Sequence, residues 1–265
     1  MKLDGASVLL TGASGGIGNA IARALHSWGA SVKLSARRGD VLERLREELG
    51  GRAEVLPADL ADRASVAELI ERAAGVEVLV ANAGLPATGS LDSFSPAELD
   101  RALDVNLRAP IQLARALVPG MVERGHGHVV LISSVSGKVA SPNSSIYSAT
   151  KFGLRAFGLG LRQDLHGTGV GVTTVFPGFI SGAGMWADAG LKTPTGVGTR
   201  SPEQVAAAVV KGIERNKAEL DVAPLSLRAG ALVAAVAPGL SARTQRLAGG
   251  VDISAELARR QSDKR

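Results

Sequence analysis

The sequence predicts an α/β protein: a doubly wound parallel sheet of about seven strands flanked by helices, with a helical extension at the C-terminus. Three observations predict it. Short apolar runs alternate with helix-period stretches along most of the chain. The runs are continuous and rich in β-branched residues, as strands buried on both faces are. The first run passes through a glycine-rich turn into a helical stretch, the opening of a nucleotide-binding βα unit.

The strands are expected at Ser7–Leu10, Ser31–Ser35, Ala53–Leu56, Val76–Ala81, His128–Ile132, Gly171–Phe176 and Leu220–Val222. Between them lie amphipathic segments. NAIARALHSWG follows the glycine turn, and Val41–Leu49 (VLERLREEL) places apolar residues at helical spacing. Ala97–Val122 reads as one long helix, Ser145–Leu165 as another, and Ser201–Asn216 opens on Ser-Pro-Glu, a helix start. Phe179–Arg200 is rich in Gly, Ala and Thr without periodicity, the mark of a functional loop. From Leu225 to Arg265 the pattern is helical again, apolar first and charged at its end.

Composition narrows the functional classes. There is no cysteine among the 265 residues, hence no disulfide framework or thiolate metal site, in keeping with a cytoplasmic, reducing compartment. The N-terminus enters a strand at once, which argues against a secretory signal. The longest apolar stretch, Ala229–Leu240, is too short to span a bilayer and contains Pro238, which argues against membrane insertion. The net charge is +5, but Lys and Arg are dispersed and aromatics make up 3% of the chain, too few for base stacking, so nucleic acid is not expected. A polyanionic small molecule suffices as partner.

The first strand leads into Thr11-Gly12-Ala13-Ser14-Gly15-Gly16-Ile17-Gly18. Glycines there allow a tight turn and bring backbone N–H groups to a pyrophosphate at the positive end of a helix. The second strand ends in Ser35-Ala36-Arg37-Arg38. In such folds this position meets the adenosine ribose, where an acid binds a free 2′-hydroxyl and an arginine accommodates a 2′-phosphate. Arg37 and Arg38, with no acid beside them, favour NADP(H) over NAD(H).

Tyr147 is the only tyrosine, and Lys151 lies one helical turn after it. Residues i and i+4 share a helix face, so the ammonium can sit beside the phenol and lower its pKa from about 10 by about 1–3 units, toward the range of acid–base work. Ser134 precedes Tyr147 by thirteen residues. Ser133 is its competitor; strand alternation points the two in opposite directions.

These pieces, in this order, resemble the short-chain dehydrogenases/reductases of the single-domain Tyr-x-x-x-Lys type over about residues 5–223. TGASGGIG resembles the family's cofactor turn, Asp59-Leu60 its adenine-contacting pair, Asn82-Ala83-Gly84 its NAG element, Asn106 in DVNLRAP its helix asparagine, and Pro177-Gly178 its PG. The resemblance implies hydride exchange between the nicotinamide of NADP(H) and a carbonyl or carbinol carbon. It gives Tyr147 the role of proton donor or acceptor and has Ser134 hold the substrate oxygen. Lys151 then binds the nicotinamide ribose and lowers the Tyr147 pKa, while Asn106 orients a relay water. No metal is implied. Backbone around Ile180 is expected at the carboxamide, because Gly182 stands where the family often has threonine.

Ser136, Phe179, Met185, Trp186 and Leu191 are expected to line a site for an apolar carbonyl or alcohol. Residues 1–224, with the loop 179–200, are read as one catalytic domain and 225–265 as a tail packed on it. A 3-oxoacyl-carrier-protein reductase is an alternative that the long C-terminus disfavours; a non-catalytic NADP(H) sensor is another, which the Tyr/Lys pair argues against. The family also implies a homo-oligomer, dimer or tetramer.

Overall fold

The computed structural model describes residues 1–191, 198–247 and 250–261, apart from the side chain of residue 253. Residues 192–197 of the expected substrate loop and 262–265 of the tail lie outside the described residues. The chain alternates β1 (Ser7–Thr11), α1 (Gly16–Ser27), β2 (Ser31–Ala36), α2 (Gly39–Leu49), β3 (Ala53–Pro57), α3 (Arg63–Arg72), β4 (Val78–Ala81), α4 (Pro96–Leu103), α5 (Ala109–Arg124), β5 (Gly127–Ile132), α6 (Ser145–Asp164), β6 (Val170–Pro177), α7 (Gly184–Asp188), α8 (Pro202–Arg215) and β7 (Glu219–Val222). Three helices follow: α9 (Leu225–Val236), α10 (Pro238–Leu247) and α11 (Gly250–Gln261).

The seven strands form one parallel sheet in the order β3-β2-β1-β4-β5-β6-β7. Every residue of β5 and β6 is buried, as continuous apolar strands covered on both faces must be. Alternation divides the core in two. Val8 and Leu10 face one side with Ile21, Leu25, Leu42, Val205 and Val209, so α1, α2 and α8 cover it. Leu9 faces the other with Val66, Leu69, Leu113, Met121 and Leu154, so α3, α5 and α6 cover that one. The order reverses between β1 and β4, and the crevice beyond their carboxyl ends is where such sheets bind ligands.

One expected element is broken. The stretch read as a single helix over Ala97–Val122 is α4, a π-helical turn over Asp104–Arg108, then α5. Ala109 N–H reaches back five residues to the Asp104 carbonyl. Pro110 has no N–H for the carbonyl of residue 106, so the regular ladder lapses there and the turn widens. Asn106 sits inside that widened turn.

Candidate active site

The glycine turn is closed by backbone contacts that no side chain would permit. Gly12 has φ +68, and a Cβ there would lie 2.8 Å from the Ala83 Cα. A Cβ on Gly18 would overlap the Gly12 carbonyl oxygen. Asn82 fastens the turn from β4, donating through Nδ2 to the carbonyls of Thr11 at 3.0 Å and Gly12 at 3.2 Å. The Thr11 hydroxyl accepts from the N–H groups of Asn82 and Ala83. No side chain caps the start of α1; the Gly15 N–H donates to the Gly12 carbonyl at 3.2 Å, and the N–H groups of Gly16 and Ile17 are left for an anion.

These residues border a cleft of about 1120 Å³ along the carboxyl edge of the sheet. It is also lined by Ser14, Arg37, Arg38, Asp59, Leu60, Asn82, Ala83, Gly84, Pro177, Gly178 and Ile180. Arg38 is held by the glycine turn: its guanidinium donates to the Ser14 carbonyl at 2.9 Å. The Asp59 carboxylate accepts from the Ala61 N–H at 3.0 Å. A dinucleotide fits this donor set, with the bare helix start and tight glycines for its phosphates and two arginines for a further anionic group.

At the centre of the cleft, β5 delivers Ser134 and α6 delivers Tyr147 and Lys151. The Ser134 side chain acts on the Tyr147 phenol from across the cleft and favours its anion. Lys151 Nζ lies 5.6 Å from the Tyr147 ring centroid and donates to the Ile132 carbonyl at 3.0 Å. Ser133 points the other way and spends its hydroxyl on the Lys151 carbonyl at 2.9 Å, which pins α6 to β5. A Cβ on Gly84 would lie 3.5 Å from both Lys151 Nζ and Asn106 Oδ1, so both polar groups border this stretch of backbone.

Electrostatics correct one expectation. Lys151 does not pull the phenol down here. Burial pushes Tyr147 up to about 12, against a lowering contribution from Ser134. Burial also lowers Lys151 to about 8. The enclosure penalises both charged forms, and it outweighs an ammonium aimed at a carbonyl rather than at the phenolic oxygen. Asn106 is buried in the widened turn. Its side chain accepts from the Leu85 N–H at 2.7 Å and donates to the Leu85 carbonyl at 3.0 Å, holding the loop after β4 against α6.

The substrate end is apolar. Phe179 and Trp186 pack with ring centroids 4.3 Å apart, and both border the cleft with Met185 and Ser136. Leu191 is partly buried but does not border it. Gly182 has φ +76, and Ala183 lines the corner beside it. Sequence reasoning missed the contribution of the tail. Gln261, at the end of α11, is buried; its amide donates to the Met185 carbonyl at 2.7 Å and accepts from the Thr88 hydroxyl at 3.1 Å. A glutamine in the run ARRQSDK carries no local signal for this. Among the described residues no group of three or more His, Cys, Asp or Glu could hold a metal, and no helix is long and apolar enough to cross a membrane.

A parallel sheet of this order with a serine, a tyrosine and a lysine at its carboxyl edge defines a class of dehydrogenase. The chain belongs to that class, the short-chain dehydrogenase/reductase family, and is an oxidoreductase: the family model described as short chain dehydrogenase matches residues 6–193. Its relatives include "Ketoacyl reductase HetN" from a Nostoc species, 38% identical over 227 residues that cover 83% of this chain and 79% of that protein. The closed form of a serine dehydrogenase complexed with NADP+ superposes with a TM-score of 0.75 at 33% identity, covering 83% of this chain and 95% of that one. A short-chain dehydrogenase from Sphingobium yanoikuyae in complex with NADPH gives 0.76 at 30% identity, covering 89% and 95%.

Proposed function

We infer that this chain is an NADP(H)-dependent oxidoreductase acting between a carbonyl and a secondary alcohol on an apolar substrate, with residues 1–224 as its catalytic domain and a cytoplasmic site of action. The observation that carries this reading is the gathering of Ser134, Tyr147 and the buried Lys151 in the glycine-turn cleft, with Lys151 Nζ 5.6 Å from the Tyr147 ring centroid. The glycine turn and the N-terminus of α1 would hold the pyrophosphate, Arg37 and Arg38 the 2′-phosphate, and Lys151 the nicotinamide ribose. When bound, the nicotinamide supplies or takes up a hydride.

The chain's own groups handle the proton. A phenol raised to about 12 is fully protonated at neutral pH, which suits Tyr147 to donate to a carbonyl oxygen. Ser134 hydrogen-bonds the same oxygen and fixes its place. The phenolate left on Tyr147 is offset by the Lys151 ammonium until solvent returns the proton. The apolar lining of Phe179, Met185 and Trp186 excludes water and takes the rest of the substrate. A 3-oxoacyl thioester is the second substrate class, supported by the likeness to the ketoacyl reductase.

The test is NADPH consumption with a panel of apolar ketones, aldehydes and 3-oxoacyl thioesters, comparing wild type with Tyr147→Phe. Equal turnover by both proteins removes Tyr147 from the chemistry. NADH bound as tightly as NADPH removes the role given to Arg37 and Arg38.

A further inference from the structure

The helices α9 and α10 present an apolar outer face that the described protein leaves uncovered. Val236 is 88% exposed, Leu247 79%, Leu225 75% and Leu232 72%, more than any large apolar side chain among the described residues up to 224, where the highest value is 62% at Leu91. In α9, Leu225, Leu232 and Val236 are spaced i, i+7 and i+11, which keeps them on one side of the helix. In α10, Leu240, Arg243 and Leu247 are spaced i, i+3 and i+7 and likewise share a side. Exposed apolar side chains on two helices that pack together mark a candidate interaction surface.

Charge identifies the occupant. From Val222 to Val251 the sequence carries Arg228, Arg243 and Arg246 and no acidic residue at all. Arg228 leans back toward Asp221 at 3.7 Å, whereas Arg243 and Arg246 are exposed and have no partner among the described residues. A second copy docked with α9 and α10 against the same two helices would bring cations against cations, with no acid on either helix to answer them. Leucine and valine interleaved with arginine on a short helical pair match an anionic lipid surface instead, where the apolar side chains enter the acyl boundary and the guanidinium groups meet the headgroups. The helices are too short to span, so the association is peripheral.

We propose that α9 and α10 dock this protein onto the surface of an anionic bilayer. The inner side of the same pair contributes Ser226, Leu227, Gly230, Ser241, Thr244 and Gln245 to the wall of the cleft. One helical pair thus has the bilayer on one side and the substrate site on the other, an arrangement suited to an apolar substrate drawn from lipid.

The experiment is flotation of the full-length protein with vesicles of phosphatidylcholine alone and of equal parts phosphatidylcholine and phosphatidylglycerol. It needs no turnover, so its outcome is separate from that of the carbonyl panel. The expected result is flotation with the anionic vesicles only, reduced about tenfold in 1 M salt, where the screening length falls to about 3 Å. Leu232→Asp/Val236→Asp and Arg243→Glu/Arg246→Glu should each abolish it while melting temperature and NADPH affinity stay unchanged, since all four side chains are exposed and outside the cleft. Absence of flotation overturns the proposal, as does equal flotation with neutral vesicles or flotation that survives either double variant. Self-association without flotation, lost in Leu232→Asp/Val236→Asp, also overturns it and assigns the face to a second copy.

Discussion

The two walls of the cleft are built by different means. The wall made by β1, β4, β5 and α6 is closed by backbone: Gly12 lies against Ala83, Gly18 against Gly12, and the Lys151 carbonyl takes the Ser133 hydroxyl. The opposite wall, made by α7 and α9–α11, is closed by side chains: Phe179 on Trp186, and Gln261 bridging Met185 to Thr88. The first arrangement leaves no room for an added atom and fixes where charge resides. The second has slack and decides what fits. On the proposed reading, chemistry belongs to the rigid wall and selection to the adjustable one.

The largest effect should come from breaking the rigid wall at its reacting group. Tyr147→Phe removes one oxygen, and with it the proposed proton donor. The expected loss in kcat is about 10²–10⁴-fold, the usual contribution of a positioned acid or base. NADPH affinity, read by fluorescence titration, should barely change. Trp186→Phe on the opposite wall should instead move KM more than kcat.

Next in size is the cost of burying Lys151. Its folded pKa falls from the ordinary 10.5 to about 8, so between those values the unfolded chain holds the proton that the folded chain gives up. Stability therefore rises with pH across that window, and the penalty is complete below pH 8. Lys151→Met should be more stable than wild type at pH 7 by up to about 3 kcal/mol, with the gap closing toward pH 10.5. Urea denaturation at several pH values measures it. Arg243→Met, at an exposed site on the other wall, should leave the slope untouched. A gap that does not depend on pH would refute the assignment to burial of charge.

The same glycine-to-alanine change separates the walls by sign. Gly18→Ala drives a methyl into the Gly12 carbonyl oxygen and should destabilise by about 1–3 kcal/mol, as overpacking does. Gly230→Ala sits inside α9 with open space around it and should stabilise by about 0.5–1 kcal/mol. Thermal melts of the two variants give the comparison directly. Matching signs would dissolve the distinction between a closed and a slack wall.

The rigid wall was also the legible one, and for a physical reason. Backbone closure demands glycine at Gly12 and Gly18, helical spacing brings Tyr147 and Lys151 to one face, and strand alternation separates Ser133 from Ser134; all of these are local rules written in the order of residues. The strands stood where their apolar runs predicted, with β4 beginning two residues later than expected, at Val78. The π-helical turn around Asn106 escaped because Pro110 was read within a helical pattern and not as a lapse in its ladder. The pKa of Tyr147 escaped because burial is a property of the whole enclosure, whereas i, i+4 spacing reports only one neighbour. The link from Gln261 to Met185 spans seventy-six residues and depends on how the tail returns to the cleft, which no periodicity encodes.

That link gives the smallest and most discriminating prediction. Gln261→Ala leaves the buried Thr88 hydroxyl and the Met185 carbonyl without the amide that joined them. Each lost bond is worth about 0.5–1.5 kcal/mol net, so the melting temperature should fall by only a few degrees. Neither partner holds the reacting groups: Ser134 accepts from the Ser136 N–H, Lys151 is anchored on the Ile132 carbonyl of β5, and the Tyr147 N–H on the Ala87 carbonyl. KM for an apolar carbonyl should therefore rise while kcat stays near wild type, because positioning of the substrate's body is loosened and positioning of the proton is not. Met185 neighbours Trp186 on α7, so the displaced helix should relax the Phe179–Trp186 contact and blunt discrimination between small and large ketones. A fall in kcat equal to that in kcat/KM would mean that the two walls are mechanically one, with the tail holding the proton donor in place.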